Sequence, residues 1–219
     1  MFLLRILLPD QPGMLGTVAS AVGRAGGDIA AVDVIERASG GAGDHAIDDI
    51  VVDLPPDTMV DSLVSACQSV DGVSVLWVSR YDAGNNLRRD LEAVEAMATD
   101  PHDVEQVLVR QAPLVFRADW ALLTVRDVDR VEVAYATPNA PDLVDENSPW
   151  PPVTRPEVMK IPDGWEENGW RNVAAAIVPV GSPAQTLVVG RNGGPEFLAS
   201  ELARLGHLAG LAATISNAN

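Results

Sequence analysis

The first 80 residues alternate short apolar runs with stretches of helical periodicity. Residues 3–8 read as a strand, closed by Pro9, which cannot donate to a sheet ladder. From Met14 the apolar positions Leu15, Val18, Ala19 and Val22 recur on one helical face, and Gly26-Gly27 end the pattern. Residues 28–37 predict a second strand with Ile29 and Ala31 inward. The small-residue run that follows it, ASGGAGD, predicts a hairpin tip, and residues 45–54 a third strand closed by Pro55-Pro56. A helix over 57–68 places Val60, Leu63, Val64 and Cys67 on one side; Asp71-Gly72 turn the chain into a fourth strand over 73–79. The order βαββαβ implies an antiparallel sheet with two right-handed crossovers and both helices on one face. Its other face has no cover from these residues, so a second copy or another domain is expected to bury it.

After a polar break at Asp82–Asn86, Leu87, Leu91, Val94 and Ala98 predict a helical stripe. Asp100-Pro101 reads as a cap followed by proline at the first helical position, and Val104, Val107 and Leu108 carry a second helix towards Pro113. These two helices are expected to connect one domain, over 1–80, to another over 113–219, the connector spanning 81–112. ADWALLTVRD and RVEVAYAT predict a hairpin turning near Asp127–Asp129. Residues 138–164, with seven prolines, read as irregular. Strands return at 173–180 and 184–190, Arg191–Gly194 form a turn, and Pro195 opens a last helix. Its residues Leu198, Leu202, Leu205, Leu208, Ala212 and Ile215 lie near one side.

Charge narrows the range of partners. The chain of 219 residues has a formal net charge of -16, spread along its length. General attraction to nucleic acid or to acidic lipid is therefore excluded. The opening run is interrupted by Arg5 and Asp10, and nothing approaches the ~18 apolar residues of a membrane span. A cytoplasmic location is the expectation. One cysteine, Cys67, allows no intrachain disulfide and no multi-cysteine metal site; on the apolar face of its helix it reads as a core residue.

The stretch Asp10-Gln11-Pro12-Gly13-Met14-Leu15-Gly16 is the candidate ligand site. It joins a strand to the amino end of a helix, where unpaired N–H groups hold a small anion or carboxylate. The bland alternative is a turn whose proline and glycine only set the backbone. Asp48 and Asp49 are adjacent in a strand, so they point to opposite faces and do not form a catalytic pair. His45, His102 and His207 stand far apart, which leaves no metal site. The glycine-rich pieces 40–44 and 191–194 lack the lysine and serine of a phosphate loop and read as turns, and no nucleophile elbow occurs. Neither a cofactor nor a catalytic residue is expected. Trp150, Trp165 and Trp170 either line a groove or hold an irregular loop in place.

The residues Asp10–Gly16, the strand opening at Asp28-Ile29 after Gly26-Gly27, and Asp48-Asp49-Ile50 resemble an ACT domain, the βαββαβ (ferredoxin-like) module that senses amino acids. The resemblance implies a ligand held between the first loop and an adjacent copy. Asp10 would take its ammonium, and the N–H groups from Gly13 to Leu15 would take its carboxylate. Ala118–Leu123, Leu187–Arg191 and Gly194–Phe197 resemble a GAF domain, a sensor module with an antiparallel sheet flanked by helices. The proline-rich middle is shorter than in that family, and Cys67 lies outside this half, so no residue serves for covalent tetrapyrrole attachment. The fold class expected is α+β, an ACT domain followed by a GAF-like α/β sandwich. The expected function is non-catalytic regulation or sensing by a homodimer that binds a small amino acid. A protein-interaction module without a metabolite, with a protein as partner, is the alternative, and an enzyme the second alternative.

Overall fold

The computed structural model describes residues 1–38, 44–81, 85–127, 130–143 and 152–218. The tips of the hairpins expected over 38–44 and 127–129, most of the polar break, and Trp150 lie outside them. The chain divides into two compact units, Met1–Asn85 and Asn86–Asn219.

The first unit runs β1 (Phe2–Pro9), α1 (Met14–Arg24), β2 (Asp28–Ala38), β3 (His45–Asp53), α2 (Val60–Gln68) and β4 (Ser74–Arg80). Its four strands stand in the order β2-β3-β1-β4, and every neighbouring pair is antiparallel. Alternation along β1 sends Leu4, Ile6 and Leu8 into a core with Ala46, Ile50 and Val52 of β3. Val18 and Val22 of α1, with Leu63 and Cys67 of α2, close that core from one side. Gly27 is required where β2 leaves α1, because a Cβ there would collide with Val22 and Val52.

The opposite phase of the same strands carries charge. Arg5 stands directly across from Asp49. Its Nε and Nη2 donate to the two carboxylate oxygens at 2.8 and 2.9 Å, with Trp77 of β4 5.7 Å from the guanidinium. Both partners are buried, a bidentate geometry that offsets the desolvation of each.

The second unit comprises α3 (Asn85–Thr99), α4 (Val104–Phe116), β5 (Trp120–Asp127), β6 (Arg130–Ala136), β7 (Glu157–Met159), β8 (Val173–Val180), β9 (Ser182–Asn192) and α5 (Ala199–Asn217). Its antiparallel sheet has the order β6-β5-β9-β8-β7. The helices expected as a connector supply its core: Ala93, Met97, Val104, Leu108 and Phe116 pack with Leu123, Val189 and Leu205. The stripe on α3 is rotated from the one expected, and Leu91 is 61% exposed. Polar anchors set that rotation. Arg204 donates to both oxygens of Asp90 at 2.8 and 2.9 Å, and Arg89 donates to the Leu114 carbonyl. These contacts put the face bearing Ala93 and Met97 against the core. Helix α4 continues through Pro113 to Phe116, and Arg117 ends it in the left-handed region at φ 49°. In the last turn the missing proline N–H costs a single helical bond.

Three further differences from expectation lie in this unit. The proline-rich region contains the short strand β7, paired to β8. The last helix begins at Ala199 rather than Pro195. Arg191, expected in a turn, is buried at the end of β9. There it donates to Glu201 at 2.8 Å and to the Phe116 carbonyl at 2.8 Å, and lies 4.0 Å from the Phe197 ring centroid. Glu201 also accepts from the Leu198 N–H, so one carboxylate starts α5 and neutralises the guanidinium. On the other sheet face Trp120 and Trp165 pack edge-on to Trp170 at 5.3 and 5.0 Å. Trp165 and Trp170 are buried in this cluster and hold the loop to the sheet. Gly190 lies under Trp120, where a Cβ would overlap the indole.

Glu201→Ala leaves Arg191 buried without its carboxylate, and the second unit is expected to lose about 3–5 kcal/mol. Asp90→Asn, at a half-exposed pair, is expected to cost under ~1 kcal/mol. Urea unfolding followed by indole fluorescence measures both.

Candidate functional site

The loop between β1 and α1 is built tightly. Asp10 N–H donates to the Asp44 carbonyl, Gln11 N–H to Pro9 and Met14 N–H to Gln11. Gly13 adopts φ 91°, a conformation that strains any residue with a Cβ. It stands at the N-cap of α1 with no side chain capping the helix. The N–H groups of Gly13, Leu15 and Gly16 find no acceptor among the described residues, whereas that of Met14 is satisfied inside the loop.

Beside this loop is a cavity of about 110 Å³. Of the seven residues singled out in the sequence, Asp10, Gln11, Met14 and Leu15 line it; Pro12, Gly13 and Gly16 do not. Leu8, Val34 and Ala46 supply apolar wall, and two further charged residues enter, Arg37 from β2 and Asp48 from β3. Neither was singled out as a binding residue. Asp48 is detectable from the pattern alone: in HAIDDIVVD the inward phase runs Ala46, Asp48, Ile50, Val52, which places one carboxylate among core positions.

The two acidic side chains of the cavity differ in circumstance. Asp10 is half-exposed, and its Oδ2 lies 3.7 Å from Arg37 Nε, a surface pair of small energetic weight. Asp48 is 3% exposed, opposite Ile6 and Val34 in the sheet, and its Oδ1 has no hydrogen-bond partner. An acceptor left in that state costs ~1–3 kcal/mol. Burial, reinforced by the charge of Asp10, pushes the Asp48 carboxyl above its ordinary value of 3.8; Arg37 opposes the shift and Asp49 and Asp33 add to it. The site disfavours a carboxylate with no cation against it. Among the described residues no group of three or more His, Cys, Asp or Glu side chains converges as a metal site would require. No described helix is long and apolar enough to cross a membrane.

Because the folded state holds the Asp48 proton more tightly than the unfolded chain, stability falls as pH rises from 3.8 through the raised value. Asp48→Asn keeps the shape without the charge. It is expected to raise the melting temperature at pH 7 and to flatten its pH dependence above 3.8, which thermal melts across a pH series check.

Neither a family model nor a curated protein matches the chain. Among solved structures, one similar chain is the GAF domain of a candidate sensor histidine kinase from Pseudomonas syringae pv. tomato. It is 14% identical, with 61% of this chain and 86% of that one covered and a TM-score of 0.46. Another is the GAF domain from Acinetobacter phosphoenolpyruvate-protein phosphotransferase, at 12% identity, 63% and 95% coverage and a TM-score of 0.41.

Proposed function

We propose that the protein is a non-catalytic regulatory or sensor protein whose first unit is an ACT-type module binding a small amino acid beside the β1–α1 loop. The observation that carries this reading is the cavity itself, which adjoins the loop singled out in the sequence and contains an unsatisfied carboxylate. The strand order β2-β3-β1-β4 and the unbonded N–H groups of Leu15 and Gly16 support it. The second unit, a five-stranded antiparallel sheet carrying α4 and α5 on one face, is proposed as a GAF-type module. Strand β2 lies at a sheet edge and exposes Val32 and Val34, an edge along which a second copy would pair. A ligand that prefers one arrangement of such a pair shifts the population toward it.

A protein-interaction module without a metabolite is the competing reading. The exposed leucines Leu91 and Leu114 of α3 and α4 favour it.

Thermal shift and calorimetry with the twenty amino acids decide between them. A binding amino acid present at 100 times its Kd stabilises the protein by about 2.7 kcal/mol, and Asp10→Ala is expected to weaken the response. A folded protein that answers to none of the twenty ends the amino-acid reading, and a monomer in sedimentation ends the pairing.

A further inference from the structure

We propose that Asp48 is the counter-charge for the ligand's ammonium group, and that the cavity takes a small compound bearing a primary ammonium. The assignment rests on the reading that the β1–α1 loop binds a small metabolite, and it names the group that selects it.

Three features carry it. First, Asp48 is the buried polar group of the cavity: it is 3% exposed, it lines the space, and its Oδ1 lacks a hydrogen-bond partner. An ionised carboxylate only accepts hydrogen bonds, and a primary ammonium brings three donors with a full positive charge. Second, the protein's own cation is engaged elsewhere. Arg37 sits 3.7 Å from Asp10, on the solvent side of the cavity, where both side chains are substantially exposed. Arg37 also acts on Asp48, but burial outweighs it and the Asp48 Oδ1 receives no hydrogen bond, which moves to Asp48 the role that resemblance alone gave Asp10. The Arg37–Asp10 pair is exposed and of small energetic weight, so a ligand carboxylate competes with Asp10 for the guanidinium, which suits a zwitterion. Third, the volume is small. The space is about 110 Å³. Apart from Gln11 the remaining walls, including Leu8, Met14, Leu15, Val34 and Ala46, are apolar. A small amino acid or amine matches this size.

The charges acting on Asp48 are Asp10 from the loop and Arg37 from β2, which share its cavity, and Asp33 and Asp49 from the opposite side of the sheet. Acidic groups outnumber the single arginine, so the site favours a cation and opposes a simple anion. Burial raises the pKa of the Asp48 carboxyl above its ordinary value, and an ammonium bound against it favours the ionised form. Binding at low pH is therefore accompanied by proton release, and affinity rises with pH until Asp48 is fully ionised.

The test uses the whole protein with glycine, alanine, ethylamine and propionate as probes, by calorimetry across a pH series that starts below 3.8. The expected result is binding of ethylamine and of at least one amino acid, no binding of propionate, and binding that tightens as pH rises through the Asp48 titration. Asp48→Asn is expected to weaken binding about tenfold or more, the scale of a lost charge-assisted bond, and to do so more than Asp10→Asn. In the unaltered protein, carbon NMR of the Asp48 carboxyl is expected to show its titration midpoint falling when ethylamine is added. Binding that survives Asp48→Asn, or a midpoint that ethylamine leaves in place, overturns the assignment while leaving an amino-acid site intact. Ethylamine binding through Asp48 with no amino acid bound supports the assignment and removes the amino-acid reading. No response to any probe overturns both and leaves a cavity that holds only water.

Discussion

Two adjacent carboxylates leave β3 on opposite sides of one sheet, and the difference between their surroundings organises the first unit. Strand alternation makes the separation unavoidable. On one side Asp49 meets Arg5 across the β1–β3 ladder, two charge-assisted bonds below 3 Å with an indole beside the guanidinium. That charge is buried and compensated. On the other side Asp48 emerges among Ile6, Ile50 and Val34 with no hydrogen-bond partner for its Oδ1. Its desolvation is left standing, and a folded chain retains such a group at a cost to stability.

The local backbone explains why the uncompensated group lies where a ligand can reach it. Residues 45–48 of β3 run beside the end of β1, and the chain leaves β1 at Pro9 to enter α1 only four residues later. The short connection with a left-handed Gly13 leaves the first turn of α1 uncapped beside Asp48. These segments bring Leu15, the exposed Asp10–Arg37 pair and the buried Asp48 carboxyl around one small space. Opposite charges at its rim and a negative interior are suited to a zwitterion.

The second unit solves the same physical problem in the opposite way. Arg191 is nearly inaccessible, yet Glu201, the Phe116 and Pro195 carbonyls and the Phe197 ring surround its guanidinium. The ion pair ties the end of β9 to α4 and to the start of α5. On the far face of the sheet the space is occupied by Trp120, Trp165 and Trp170, with Gly190 giving the first indole room. Charge and aromatic area there serve packing, whereas in the first unit one charge remains available.

Periodicity along the chain was sufficient to place the four strands and two helices of the first unit, because each carries a clean two- or 3.6-residue repeat between Gly or Pro stops. It also pointed to the loop after β1, from Pro9, Gly13 and the amphipathic helix that follows. It placed helices within 85–116 but not the face that α3 turns inward: that rotation is set by Asp90–Arg204 and Arg89–Leu114, contacts between residues 25 or more positions apart. Nor did it distinguish Arg191 in a turn from Arg191 in a core, since its acceptors come from three separate segments. For the site, the alternation in β3 was enough to send Asp48 and Asp49 to different faces. Only the assembled sheet decided which of them received an arginine, because a charge's fate depends on what packs against it and not on its neighbours in sequence.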